Sequence, residues 1–154
     1  MKLNDEQQML QDSVARLMAD KGPVSRLRQL RDENSEKGYD EPLWHAMVEA
    51  GLTGILVPEE HGGIGFGLVG AGLVAREIGR NLSVTPFLSS AVLGAAALSA
   101  GGSDAQKAEW LPAIAESGAI GPLVTLLSKG GTIGAKEAAA GALRNLAVNV
   151  DNQV

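Results

Sequence analysis

Residues 51–67 read GLTGILVPEEHGGIGFG: a short apolar run, Pro58, two acids and a histidine, then four glycines within six residues. Whether this is strand–turn–helix or helix–loop–helix decides the fold. Gly65, Gly67 and Gly70 match G-x-G-x-x-G, the pattern of a dinucleotide-binding turn. That turn needs a strand before it, a helix N-terminus after it, and an acid about 20 residues further on, at the end of a second strand. Position 90 is Ser, and no carboxylate lies between Glu77 and Asp104. The apolar run is brief, with at most one strand-like piece, and both flanks carry helical periodicity. Gly62, Gly63, Gly65 and Gly67 therefore read as the hinge residues of an irregular connection between two helices.

Working outward, helix signals dominate. Upstream, Asn4 caps a segment with Asp5 and Glu6 in its first turn, where the helix dipole favours acids. Leu10, Val14, Leu17 and Met18 recur at helical steps, and Gly22-Pro23 ends the segment. VSRLRQLRDE is a short charged second helix, with Arg26, Arg28 and Arg31 read as a solvated face. DEPLWHAMVEAGL is a third, capped by Asp40 or Glu41, with Pro42 in its first turn and Gly51 closing it. Trp44 reads as core and His45 as its partly exposed neighbour.

Downstream, a helix runs from about Leu68 to Arg80, where Arg76 and Arg80 can pair with Glu77 on the surface or meet a partner domain. Residues 81–103 hold no charge, and Thr85 with Pro86 begins a helix there that Gly101-Gly102 stops. Thr85, Pro86, Ser89, Ser90 and Ser99 interrupt its apolar pattern, so it is a buried helix rather than a membrane span of about 20 apolar residues. Ser103 and Gln106 form a capping box for SDAQKAEWLPAIAES, and Pro112 is expected to end or kink that helix. The reading is all-α: an up-and-down orthogonal bundle of about six helices.

Composition narrows function by exclusion. The chain has no cysteine and two histidines, so thiolate chemistry is absent and no metal site is expected. Residues 1–61 hold seven Lys/Arg against twelve Asp/Glu, while residues 62–154 are balanced at six and six. No basic footprint exists, which argues against nucleic acid. MKLNDEQQML lacks the pattern of a secretory leader, so a soluble intracellular protein is expected, cytoplasmic or mitochondrial. Glu59-Glu60-His61 could suggest acid–base work, but adjacent side chains diverge and no second histidine is near.

LNDEQQMLQDSVARL (3–17), LWHAMVEAGLTGILVPEEHGGIGFGLVGAGLVAREIGR (43–80) and SDAQKAEWLPAIAES (103–117) together resemble the N-terminal helical domain of acyl-CoA dehydrogenases over about residues 3–116. The resemblance implies a flavoprotein that oxidises fatty acyl-CoA thioesters between the α and β carbons, a carboxylate taking the α proton and FAD the hydride. It also implies that Thr85, Leu88, Ser89 and Leu93 face the acyl tail, a role that competes with plain core packing. The family's flavin-binding domain and catalytic glutamate find no match here, so no catalytic residue is assigned. FAD is implied by the family and not expected to bind this chain tightly by itself. Acyl-CoA is a partner only with those domains supplied.

At residue 117 the text changes. SGAIGPLVTLLSKGGTIGAKEAAAGALRNLAVNVDNQV resembles part of one armadillo repeat, a helical hairpin over 117–154. Ile120, Leu123, Val124, Leu126 and Leu127 form one apolar face; Ala138, Ala142, Leu143, Leu146 and Ala147 form another. A single repeat cannot bury these faces. They must dock on the preceding helices, self-associate or meet a protein partner. Asn145 could hold an extended peptide, though no second repeat continues such a ladder. The expected organisation is 1–116 and 117–154. An armadillo-type interaction module on a helical scaffold, or a fusion product without function, are the alternatives.

Overall fold

A computed structural model describes residues 2–33 and 38–118. The armadillo-like hairpin and Asn145 lie outside the described residues. Six α-helices account for most of the described chain: α1 Asp5–Lys21, α2 Val24–Asp32, α3 Glu41–Glu49, α4 Gly67–Asn81, α5 Ala95–Gly101 and α6 Asp104–Ser117. No strand occurs among the described residues.

Local chemistry sets the helix starts. The Asn4 side chain accepts from the Gln7 N–H at 2.8 Å while Gln7 Oε1 accepts from the Asn4 N–H, a reciprocal cap that satisfies two donors of α1. Ser103 and Gln106 repeat the device on α6. Asp40 is the N-cap of α3, with Pro42 in the first turn. Gly22 closes α1 and Pro23 opens α2.

Two expectations need correction. Pro112 neither ends nor interrupts α6, which continues to Ser117. Leu111 on one side of it and Ile114 and Ala115 on the other are buried, and the Thr53 hydroxyl donates to the Ala115 carbonyl at 2.6 Å. This packing outweighs the roughly 3 kcal/mol that an interior proline costs a helix. The connection over 51–67 is a loop, as its glycines imply, and it holds a 3-10 turn at Leu52–Gly54. Thr85 does not cap the uncharged helix; its N-cap is Phe87, without a side-chain cap bond.

The core is one main cluster with a smaller neighbour. Val14 and Met18 of α1, Leu43, Trp44 and Met47 of α3, Val74 of α4, and Phe87 and Ala91 close around Leu52 and Ile55. Val57, Ala95, Leu98, Leu111, Ile114 and Ala115 make the second cluster, and Leu56 packs against both. The apolar run of the quoted stretch thus lies in the core, wedged between helices, while Glu59, Glu60 and Ile64 beyond it are exposed. Each fully buried large side chain contributes about 1.5–3 kcal/mol of transfer free energy.

Two buried carboxylates complete the frame. Asp40 is 1% exposed and takes a two-pronged contact from Arg26, at 2.9 Å from Nε and 3.2 Å from Nη2. The Arg26 guanidinium is held above its ordinary pKa chiefly by that hydrogen bond. Arg26 is therefore a structural clamp and not part of a solvated face; Arg28 and Arg31 are exposed. Glu77 is likewise buried, with Arg80 at 3.3 Å and Arg76 at 3.9 Å reaching it from the surface. The expected surface pairs are thus half-interior.

Candidate functional site

The uncharged segment between α4 and α6 is built unlike the other helices. Leu82 ends α4 in the left-handed region (φ 51°), and the Ser83 hydroxyl donates to the Gly22 carbonyl at 2.9 Å. From Leu88 to Gly94 the chain forms a π-helix before passing into α5. Such i→i+5 stretches are rare and recur at functional sites. The Ser89 hydroxyl donates to the Pro86 carbonyl, and the Ser90 hydroxyl to the Gly118 carbonyl at 2.8 Å, so both serines serve the backbone.

The wider turn changes which side chains share a face. In an α-helix residues 88 and 93 would stand about 140° apart. In a π turn, with its i→i+5 hydrogen bonds and more residues per turn, they lie closer around the axis. Leu88 is 58% exposed and Leu93 37%, while Ser89, Ser90 and Ala91 between them are buried. The structure therefore brings Leu88 and Leu93 out to the surface and turns Ser89 inward. Thr85 is half-buried, and its Oγ1 is fully enclosed without a hydrogen-bond partner. A buried unsatisfied hydroxyl costs about 1–3 kcal/mol. Neither the π turn nor the orphan hydroxyl has a sequence signal beyond the run of small residues and serines.

The glycine-rich loop spends its N–H groups on its own backbone: those of Gly65, Phe66 and Gly67 are donated to the carbonyls of Val57 and Ile55. Gly63 is required by contact: a Cβ there would lie 2.0 Å from the Val57 carbonyl oxygen. Gly70 packs on the Phe66 ring. The loop's glycines allow the chain to fold back on itself between helices, as the composition argument expects.

Other candidates fall apart in space. Glu59 and Glu60 are exposed on a 3-10 turn with His61. No group of three metal-capable side chains occurs among the described residues, and no described helix is long and apolar enough to cross a membrane. Trp44 is buried, and His45 stands exposed 3.9 Å from Glu41.

Comparison with known proteins supplies the deciding observation. The family model described as "Acyl-CoA dehydrogenase, N-terminal domain" matches residues 4–118. The chain belongs to the acyl-CoA dehydrogenase family. Acyl-CoA dehydrogenase IpdE2 of Mycobacterium tuberculosis (strain ATCC 25618 / H37Rv) is 38% identical over 121 residues, covering 78% of this chain and 36% of that protein. IpdE2 of Mycolicibacterium smegmatis (strain ATCC 700084 / mc(2)155) is 33% identical, covering 79% and 37%. (2S)-Methylsuccinyl-CoA dehydrogenase of Cereibacter sphaeroides is 33% identical, covering 78% and 21%. The chain thus spans little more than a third of the length of such relatives at most. An armadillo/beta-catenin-like repeat model matches residues 112–148, overlapping the end of α6. No solved structure matches the chain.

Proposed function

We propose that residues 1–116 form one wall of the acyl-binding site of an FAD-dependent acyl-CoA dehydrogenase. Leu88 and Leu93 are the surface against which the fatty-acyl tail lies, with Thr85 and Ser89 at its base. The observation that supports this is the π turn, on which Leu88 and Leu93 are exposed while Ser89, Ser90 and Ala91 between them are buried. An alkyl chain is held by burial of apolar area, at about 25 cal/mol per Å². The wall's contribution is to bind and align the tail and to keep water from it.

Bound flavin supplies the hydride acceptor in this family's chemistry. The described residues do not fit it: the one glycine-rich turn has its N–H groups already engaged. The 154 residues by themselves are proposed to be inactive. The test places residues 1–116 in a full-length relative such as IpdE2 of M. tuberculosis and follows acyl-CoA-dependent dye reduction. Leu88→Asp with Leu93→Asp is expected to raise KM at least about tenfold, the loss of roughly 1.4 kcal/mol of apolar contact, with kcat changed less. An unchanged KM would refute the wall assignment.

A second reading rests on the repeat match at 112–148. On it, residues 117–154 are a protein-interaction segment and the helical domain a scaffold. Its test is capture of a peptide partner that is lost when Leu143 and Leu146 are changed to Asp.

A further inference from the structure

We propose that the cleft between α2 and the turn after α4 binds an aliphatic carboxylate, its tail on the leucines and its acid group on Arg28 and Arg31. The inference does not rest on the acyl-wall reading. The cleft has a volume of about 410 Å³; Val24, Leu27, Leu30, Leu82 and Val84 give it an aliphatic floor, and Arg28 and Arg31 are the charged residues of its lining. Apolar clefts of roughly 300–1,000 Å³ with a few placed polar groups are the size that takes a small ligand.

The register of α2 orders these groups. Positions 24, 27, 28 and 31 follow the i, i+3, i+4, i+7 steps of one helix face. Along that face the side chains pass from Val24 and Leu27 to Arg28 and Arg31, a rise of about 10 Å from first to last. An extended amphiphile laid there meets apolar surface at one end and guanidinium groups at the other. Arg26, the third cation of the helix, is engaged by buried Asp40. Arg28 is exposed and makes no ion pair among the described residues. Arg31 meets Asp32 at 2.7 Å, with both side chains exposed, and such a surface pair holds it weakly. The guanidinium fork matches a carboxylate. The C-terminal end of a helix disfavours an anion, so the site depends on both arginines. The lining holds no aromatic ring and no hydroxyl or amide side chain with which to read a base or a sugar, so a plain aliphatic tail fits it.

Leu82 is a second, independent sign. It ends α4 at φ 51°, in the left-handed region where a helix usually places glycine. Its side chain is 56% exposed, so little burial within the fold offsets that conformation. A leucine held in a disfavoured backbone state at the edge of an apolar cleft is accounted for by a ligand that covers it.

Calorimetric titration of the full chain with sodium decanoate, kept below its micelle concentration, tests the site. One saturable site is expected, with decyltrimethylammonium, the same tail with opposite charge, binding at least about tenfold more weakly. Arg28→Gln with Arg31→Gln should weaken decanoate at least about tenfold through the loss of charge-assisted hydrogen bonds. Both side chains are exposed, so this double variant should keep the parent's urea midpoint. Leu82→Gly suits the left-handed backbone, so it should not lower that midpoint, yet should weaken decanoate at least about threefold by removing apolar contact. No saturation, equal affinity for the two amphiphiles, or undiminished binding by the arginine variant would each overturn the proposal. So would binding that is lost on Leu88→Asp and kept in the arginine variant, which would assign it to the outward leucines. A dimer that Leu82→Asp dissociates and decanoate does not would overturn it in favour of a second copy.

Discussion

At the scale of single residues, the interior is fixed by a few contacts that tolerate no alternative. Asp40 caps α3 through the Leu43 N–H and receives Arg26, two roles for one buried carboxylate. Asp40→Ala removes a cap worth about 1 kcal/mol and leaves a half-buried guanidinium unpaired, so urea denaturation should show a loss of about 2–3 kcal/mol. Asp40→Asn keeps the cap geometry and should lose roughly half as much. Gly63→Ala forces a methyl into the Val57 backbone and should cost at least about 2 kcal/mol, or prevent folding. Asp40 as a cap was legible from Pro42 and the apolar run behind it. Its ion pair was not, because Arg26 is 14 residues away and only tertiary packing joins them.

Among the elements, helix starts were readable and helix interiors less so. Asn4 and Ser103 each announce a capping box through the glutamine three residues on, and both boxes form. Pro112 signals a break that tertiary packing overrides. Pro112→Ala restores a backbone N–H inside α6 and should raise stability by on the order of 1–3 kcal/mol, seen as a higher denaturation midpoint with unchanged slope. Gly72 lies exposed within α4 with open space at its Cβ position, so Gly72→Ala should add about 0.5–1 kcal/mol. The π stretch escapes an argument from α periodicity, since its hydrogen bonds join residues five apart. Leu88→Ser and Leu93→Ser, being solvent-facing, should each change stability by less than about 0.5 kcal/mol.

For the whole molecule, the all-α architecture follows from stretch 51–67 once the second strand and the ribose acid are found missing. The candidate wall is less legible: position nominates Thr85, Leu88, Ser89 and Leu93, but only the π geometry separates the outward leucines from the inward serine. The change of character near residue 117 is plain in the text, yet the packed unit runs on to Gly118, whose contact partner Trp44 is 74 positions upstream.

That last contact has a spectroscopic corollary. The chain has two tryptophans, and Trp110 is half-buried while Trp44 is buried against Gly118. Removing the glycine, by cutting the polypeptide a few residues short, would wet one face of the Trp44 indole. Its emission should then shift to longer wavelength, so that fluorescence marks where the folding unit truly stops.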